Sequence, residues 1–508
     1  MAGGIPLAFL EDLATSGEYA PVLATDDSAA LLANARYTLR TSVEARNHQL
    51  FVSLTMTDIS NQRSVLSHDL SGPVEGGLLP LINQLAKQVD QNSSNFGTTK
   101  EQAFVLYSES MEAPVQQRPA LLEQAIAADP GFGTAYLALM DAFGQTNESG
   151  VRQTAAQAQL HLSQFRPLDQ TRAKLALLRL NQAPAAQQFP VLKQLANMTP
   201  GDVNALSGLA AIEASQMHYT EADAWLNKAL GLEPASVELQ RQRARLQFSE
   251  ERFADAEKTF AALRQPNAPV LEIAACRLME GNMAGANAMF AQYAATNQPF
   301  VPLARATWLM VTGNHVQAIS FLKGSLSSDP QLRSLGLSQI AVWSSAAGDV
   351  PTSEASAQEA LRLGGNGGIP RQVAQTAVLI ALSGKDWNAF QHALTQLQPA
   401  AAQTYVLGYA LFLRGRYREA AQVWAKRLEA LGDPVSRLMC AASLLRAGNK
   451  AQAAKVGVPV SIPNLSGGDL FVFVTFPEML KAKAQLAAQN GEKQLANRYE
   501  HLVQTYVR

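Results

Sequence analysis

The sequence predicts a mostly α-helical protein, an array of stacked helix pairs (an α-solenoid) that follows a small N-terminal α+β domain. Three observations predict this fold class. A helix-pair pattern recurs about every 33 residues, alanine is frequent after residue 100, and period-two alternation is confined to the first 98 residues. Alanine is the strongest helix former, and a fixed period in the range of ~20–50 residues is typical of repeat architectures. We expect an α+β domain at 1–98, repeats at 99–456 and capping helices at 457–508.

The N-terminal part predicts helices around a small sheet of three to four strands. The turn at residues 46–48 separates two segments that alternate with period two, which is a hairpin signal. In chain order we expect a helix at 5–17, a strand at 18–25, a helix at 26–35, strands at 36–45, 49–58 and 64–72, and a helix at 75–91.

The repeat is recognised by a small residue near the start of its second helix. Such a residue lets two helices approach closely, and a glycine turn joins the first helix to the second. The spacing predicts about eleven helix pairs. The small residues are Ala222, Ala256, Ala286, Ala318, Ser353, Ala389, Ala420 and Ala453, and the turn glycines are Gly281, Gly313, Gly348, Gly384, Gly415 and Gly448.

Residues 201–234 carry the clearest unit, GDVNALSGLAAIEASQMHYTEADAWLNKALGLEP, and residues 118–139 carry a second typical helix junction. Residues 99–456 thereby resemble the tetratricopeptide (TPR) repeat family. The resemblance implies a right-handed superhelix whose concave surface binds a protein or peptide. In the clearest unit, the matching signature positions are Leu206, Leu209, Ala210, Ala222, Leu226, Ala229 and Pro234.

Residues 35–39, 50–58 and 78–89 resemble a small α/β domain similar to the N-terminal part of TolB. That domain precedes TPR arrays in some bacterial signalling proteins, including serine/threonine kinases and membrane-bound transcription regulators. It usually begins with a strand, for which this chain has no room before its first helix. The resemblance implies an alternative function, the sensory or regulatory portion of a larger bacterial protein whose parent could be membrane-anchored.

Composition argues against several partner classes. The chain has 41 basic and 42 acidic residues, a formal net charge of −1, which gives no long-range attraction to nucleic acid or an anionic membrane. No apolar run reaches the ~18 residues of a membrane span, and the start has no basic region typical of a signal peptide. We expect a soluble chain; its compartment and oligomeric state stay open.

The residues that carry chemistry show no catalytic or metal-binding pattern. Cys276 and Cys440 lie on apolar helix faces, where a small buried hydrophobe is expected. The seven histidines do not occur in an HExxH motif or near another His or Cys. We therefore expect no enzyme, no cofactor and no metal, but a non-catalytic scaffold for a protein or peptide.

Five residues are candidates for peptide binding, because by register with the TPR family they face the groove. Arg241 and Arg245 could grip a carboxylate, or simply form a solvated helix face. Tyr405 and Tyr409 lie four residues apart on one helix face and could anchor a peptide or pack helices together. Thr307 occupies the same register and could donate a hydrogen bond.

The last segment, 457–508, loses the repeat and predicts two helices after an extended stretch. Terminal repeats need a polar outer face, and we expect these helices to form a cap. The residues expected on that face are Lys481, Lys483, Lys493, Arg498 and Glu500.

Overall fold

The predicted fold class is confirmed: the described residues form 27 α-helices and one small three-stranded sheet near the N-terminus. The structure, a computed structural model, describes residues 4–16, 19–24, 26–32, 35–144, 147–181, 183–263, 269–294, 300–365, 368–397, 400–462 and 470–507.

The N-terminal elements follow the predicted order apart from one strand. They are α1 (Gly4–Leu13), α2 (Asp27–Leu32), β1 (Tyr37–Arg46), β2 (Gln49–Asp58), β3 (Arg63–Pro73) and α3 (Leu79–Val89). The sheet is antiparallel in the order β1-β2-β3. The strand predicted at 18–25 is wrong, because the described residues 19–24 form no strand. Ala20 instead packs closely against Gly201, and Pro21 has no N–H to donate to a ladder.

The described residues between 101 and 456 form 22 α-helices, which follow each other as eleven consecutive pairs. The pairs are α4 (Glu101–Glu112) and α5 (Arg118–Ala128), α6 (Gly133–Phe143) and α7 (Glu148–His161), α8 (Pro167–Leu180) and α9 (Ala185–Met198), α10 (Val203–Ser215) and α11 (Tyr219–Leu232), α12 (Val237–Ser249) and α13 (Phe253–Ala261), α14 (Val270–Met279) and α15 (Met283–Ala294), α16 (Val301–Val311) and α17 (His315–Gly324), α18 (Pro330–Ala346) and α19 (Val350–Gly364), α20 (Gly368–Lys385) and α21 (Trp387–Leu394), α22 (Ala400–Leu413) and α23 (Tyr417–Leu431), and α24 (Pro434–Arg446) and α25 (Lys450–Val456).

The turn inside a pair repeats one hydrogen-bonding pattern. In the α18–α19 turn, Gly348 has a φ of +79°, and the next N–H, that of Asp349, donates to Ser344 O at 2.9 Å. This is the Schellman arrangement, which needs a residue in the left-handed region and therefore favours glycine. The turns at Gly281, Gly313, Gly415 and Gly448 have the same positive φ, whereas Gly384 does not.

The small residues of the repeat lie at helix contacts, as predicted. Seven of the eight are no more than 1% exposed, and Ala389 alone is partly exposed. A second close approach occurs where α22 meets α23: a Cβ on Gly408 would lie 2.5 Å from the Trp424 ring. Glycine at this position therefore makes room for a fully buried indole.

The described chain divides by its contacts into two compact units. The first contains Met1–Glu213 and Thr220–Leu239, and the second contains Ala214–Tyr219 and Gln240–Arg508. The boundary predicted at 98/99 lies inside the first unit, where one hydrophobic core joins α1, β2 and α3 to α4, α5 and α6. Phe96 makes edge contacts with Phe104 and Phe132 across that boundary. The sheet and the first repeats therefore share one core.

A buried ionic cluster fixes α1 to the repeats of the first unit. The Arg166 guanidinium donates to Asp169 at 2.8 Å, to the carbonyl oxygen of Asn95 at 3.2 Å and to Glu11. Arg172 also pairs with Glu11, at 2.7 Å. Because a guanidinium carries several donors in a fixed plane, Arg166 can hold three partners from separate segments at once.

Candidate binding groove

The last two helices, α26 (Val472–Gln489) and α27 (Lys493–Tyr506), lie in the second unit. Twelve of the 18 residues of α26 are buried, including the consecutive run from Val474 to Ala482 except Lys481. A helix that is apolar on all sides is a core helix rather than a surface helix. α26 therefore needs protein on several sides, not only the face of the last repeat.

First helices of several repeats surround α26. It packs against α24 and α25, its neighbours in the chain, and also against α16, far earlier in the sequence. Phe471, immediately before α26, stacks on Tyr409 of α22 with ring centroids 3.5 Å apart and an interplanar angle of 5°. We call the surface of α16, α22 and α24 that contacts residues 471–489 the α26 groove.

Ion pairs and hydrogen bonds hold the helical hairpin along the unit. Glu478, almost fully buried in α26, pairs with Arg446 of α24 at 3.0 Å and with Lys481 at 2.9 Å. Lys483 pairs with Glu251, just after α12, at 3.0 Å. A buried charge is stable only when it is paired, so these contacts fix the position of the helix.

α27 extends the same contacts to α14. Arg498 donates to the carbonyl oxygen of Met279 at 2.9 Å, and the Tyr506 hydroxyl donates to that of Gly281 at 3.0 Å. The helices predicted as a cap thus contact the last repeat and also repeats near the start of the unit. Lys481, Lys483 and Arg498, which we expected on a polar outer face, take part in these contacts.

A histidine also contacts the C-terminal hairpin. The His315 ring, at the start of α17, meets the Phe473 ring edge-on with centroids 5.7 Å apart. Burial lowers the pKa of His315, and the nearby Lys481 ammonium lowers it further. A neutral imidazole is therefore favoured while α26 is docked.

The structure brings the two candidate tyrosines together inside the groove. Tyr409 is fully buried, and Tyr405 is partly buried with its ring 5.5 Å from that of Phe471. The Arg427 guanidinium lies 5.1 Å from the centre of the Tyr405 ring. Both tyrosines therefore contact the C-terminal segment of their own chain.

The other three candidates lie elsewhere. Thr307 is fully buried in α16, and its hydroxyl donates to the carbonyl oxygen of Leu303 at 2.9 Å. Arg241 pairs with Glu272 of α14 at 3.4 Å, and Arg245 lies 3.9 Å from the same carboxylate. An acidic partner for the arginines is thus present within the chain, although the Arg245 side chain is still 54% exposed.

The sequence analysis missed the roles of Phe471 and Glu478 in the segment that occupies the groove and of Arg446 in the groove itself, and it placed Lys483 on a polar outer face. A signal for them exists, because residues 470–480 read LFVFVTFPEML and have apolar side chains on every face of a helix. Such a segment predicts a buried helix, whereas a cap would have one polar face.

The buried ionic cluster around Arg166 in the first unit is a second site with several titratable side chains. Burial raises the pKa of Asp12 to about 8 and also raises that of Asp169, although Arg166 lowers both. No described residue donates a hydrogen bond to either carboxylate oxygen of Asp12. Because the cluster is packed between α1 and α8 with its charges paired internally, we interpret it as a structural contact.

The described residues contain neither a metal-binding cluster nor a membrane-spanning helix. No group of three or more His, Cys, Asp or Glu side chains among them is arranged to hold a metal ion. None of the helices described has both the length and the apolar character needed to cross a membrane. Cys276 and Cys440 are buried and unpaired by disulfides, and burial raises the pKa of both thiols, that of Cys440 to about 11.

Comparison with known proteins gives no family. No family model matches the chain, and no curated protein sequence matches it. Among solved structures, the crystal structure of the APC/C hetero-tetramer Cut9-Hcn1 contains a similar chain, 14% identical, with a TM-score of 0.28. The match covers 73% of this chain and 79% of that chain. With so low a TM-score, this likeness carries no argument, and the fold assignment rests on the helix pairs themselves.

Proposed function

We propose that this protein is a non-catalytic scaffold that binds a helical segment of a protein partner in the α26 groove. The observation that supports the proposal is that the groove accommodates α26, a helix with twelve of its 18 residues buried that begins beside Phe471. A surface that packs around an apolar helix of its own chain has the shape and chemistry to bind a similar helix from another protein.

The contacts of α26 support a specific class of ligand. Tyr405 and Tyr409 provide aromatic faces for a ring at the start of the helix, and such anchors dominate binding in many interfaces. Arg446 provides a cation for an acidic side chain about two turns further along. The expected partner therefore presents an apolar helix with an aromatic residue at its start and a carboxylate in its middle.

Of the five predicted peptide-binding residues, this proposal keeps Tyr405 and Tyr409 as ligand contacts. Arg241 and Arg245 remain proposed contacts for an acidic group outside the groove. Thr307 is proposed only as a minor ligand contact, because its hydroxyl already donates a hydrogen bond to the carbonyl oxygen of Leu303 within α16.

The experiment measures whether the groove binds a helix added in solution. The probe is a fluorescent peptide that copies residues 470–490, titrated into the full chain and followed by fluorescence anisotropy. The resident helix competes at an effective concentration in the ~mM range because it is tethered, so wild type should bind the probe weakly. Phe471→Ala weakens the docking of α26 in the groove. We expect this variant to bind the probe at least ~10-fold more tightly than wild type does, which corresponds to ~1.4 kcal/mol.

Two further variants make the result specific to the groove. Phe471→Ala/Tyr409→Ala removes the acceptor ring as well and should lose the gain. Phe51→Ala, which truncates an exposed ring on the sheet, should behave as wild type. The proposal fails if Phe471→Ala, still folded by circular dichroism, binds the probe no better than wild type does.

The alternative, a sensory portion of a larger bacterial signalling protein, is supported by the order of α1, the three-stranded meander and α3. It predicts a kinase, DNA-binding or transmembrane segment in the same gene. Sequencing the gene beyond both ends of this chain tests it, and a gene that encodes no such segment would exclude it.

A further inference from the structure

The sheet of the first unit has two edges that differ in protection. β3 carries a register shift opposite Met56 and Thr57, ends at Pro73 and packs against α3. Bulges, prolines and covering helices are the devices by which proteins keep sheet edges from pairing with other chains. β1, at the other edge, pairs with β2 over ten residues without a register shift and contains no proline.

The second half of β1 is open to solvent. The five residues from Ser42 to Arg46 are all exposed, and Val43 is one of the exposed large hydrophobic residues. Val43 lies directly opposite Val52, which is fully buried, so the two share the apolar face of the sheet. The apolar face therefore continues to the edge at this end of β1, where none of the described elements covers it.

The hairpin geometry shows which backbone groups face outward. Asn47 and His48 form a two-residue turn with φ of +49° and +61°, so Arg46 and Gln49 are the hydrogen-bonded closing pair. Hydrogen-bonded and non-hydrogen-bonded pairs alternate along an antiparallel ladder. The N–H and C=O groups of Leu39, Thr41, Val43 and Ala45 consequently point away from β2.

The charges of β1 are complementary to those of a second β1 in one register. When two copies pair antiparallel about a two-fold axis at Ser42, Arg40 lies opposite Glu44 of the second copy, and the same pair occurs twice. Thr41 then lies opposite Val43 on the apolar face, and the outward backbone groups form roughly eight hydrogen bonds. Shifting the register by two residues one way places Arg40 opposite Arg46, and the other way leaves Arg40 opposite Ser42.

We propose that β1 is a homodimerisation edge that pairs antiparallel with β1 of a second copy of this chain, in the register that joins Arg40 to Glu44. The two copies would form a continuous six-stranded sheet, which is isologous about the two-fold axis. A contact between two strands buries much less surface than the ~1,200 Å² of a stable complex, so we expect a dissociation constant in the micromolar range. This proposal is independent of the α26 groove.

Sedimentation velocity of the full chain between about 1 and 200 μM tests the proposal, a range that spans the affinity expected for so small an interface. Wild type should change from monomer to dimer over this range. Arg40→Glu and Glu44→Arg each place like charges opposite each other twice, so each should weaken dimerisation by about tenfold or more. The double variant Arg40→Glu/Glu44→Arg places opposite charges across the two strands again. Because the cross-strand charge pairs cause the weakening in the single variants, the dissociation constant of the double variant should lie within about threefold of wild type.

A second variant reports on the backbone. Thr41→Pro removes an N–H that points away from β2, so it should abolish dimerisation without removing a bond from the β1–β2 ladder. Circular dichroism and the melting temperature confirm that each variant is folded. A wild type that stays monomeric throughout, or that associates equally well in Arg40→Glu, Glu44→Arg and Thr41→Pro, would overturn the proposal.

Discussion

Replacing Asp12 with asparagine should stabilise the first unit at neutral pH. Asp12 is fully buried beside the Arg166 cluster, and burial raises its pKa from 3.8 to about 8. The folded chain therefore keeps this carboxyl protonated, whereas the unfolded chain ionises it above about pH 4. The stability that the neutral acid contributes is complete below that pH and is lost progressively until about pH 8.

The magnitude of this loss of stability follows from the difference between pH 7 and the pKa of the carboxyl in the unfolded chain. About three pH units at ~1.4 kcal/mol each give a loss on the order of 4 kcal/mol at pH 7. Asparagine has nearly the shape of the neutral acid and cannot ionise, so Asp12→Asn should recover most of that free energy. The gain should shrink towards zero at pH 4 and be largest near pH 8.

Hydrogen-exchange mass spectrometry of α1, α3 and α4, in a series of urea concentrations at pH 5, 6, 7 and 8, measures the opening free energy of this unit. The control is Asp141→Asn, which removes an exposed carboxylate at the end of α6 in the same unit. Parallel stability curves for wild type and Asp12→Asn from pH 5 to 8, or a variant less stable than wild type at pH 8, would refute the reasoning.

Two other changes test the second unit. Gly408→Ala would place a Cβ 2.5 Å from the Trp424 ring, so it should lower the free energy of unfolding in urea by about 1–3 kcal/mol. The control is Gly324→Ala, where a Cβ would meet nothing within 4 Å and the free energy should not change. Equal effects of the two variants would contradict this packing. Lowering the pH from 7 to 5.5 should loosen the docking of α26, because the pKa of His315 is lowered while α26 is docked. The neutral imidazole therefore stabilises docking fully above about pH 6.5, and this stabilisation is lost as the pH falls. Hydrogen exchange of α26 should show this in wild type and in His392→Gln, a surface control, but much less in His315→Gln; the same loss in His315→Gln would assign it to another group.

The repeats could be predicted from the sequence because each unit depends on local rules. A small residue at Ala256 or Ala318 and a glycine at Gly313 or Gly348 act within one helix pair, where spacing along the chain determines spacing in the structure. The hairpin was predictable for the same reason, since alternation and a two-residue turn set its register.

The docking of the C-terminal hairpin depends on contacts that spacing along the chain does not encode. Lys483 meets Glu251, and Arg498 meets Met279, from positions more than 200 residues away in the sequence. The four-residue spacing of Tyr405 and Tyr409 gave them a common helix face, but it could not show that Phe471 covers them. The ionic cluster of Glu11 with Arg166 and Arg172 was missed for the same reason.

The central claim is that the C-terminal hairpin lies along the second unit and so occupies the α26 groove. Carbodiimide joins a lysine to a carboxylate only when the two are in direct contact, and Lys483 and Glu251 are 3.0 Å apart. Mass spectrometry of the treated protein should find the Lys483–Glu251 amide, and should lose it in Lys483→Arg. The exposed pair Lys385–Glu354, 2.6 Å apart, serves as the internal positive control. A protein that forms the Lys385–Glu354 link but no Lys483–Glu251 link would contradict the account.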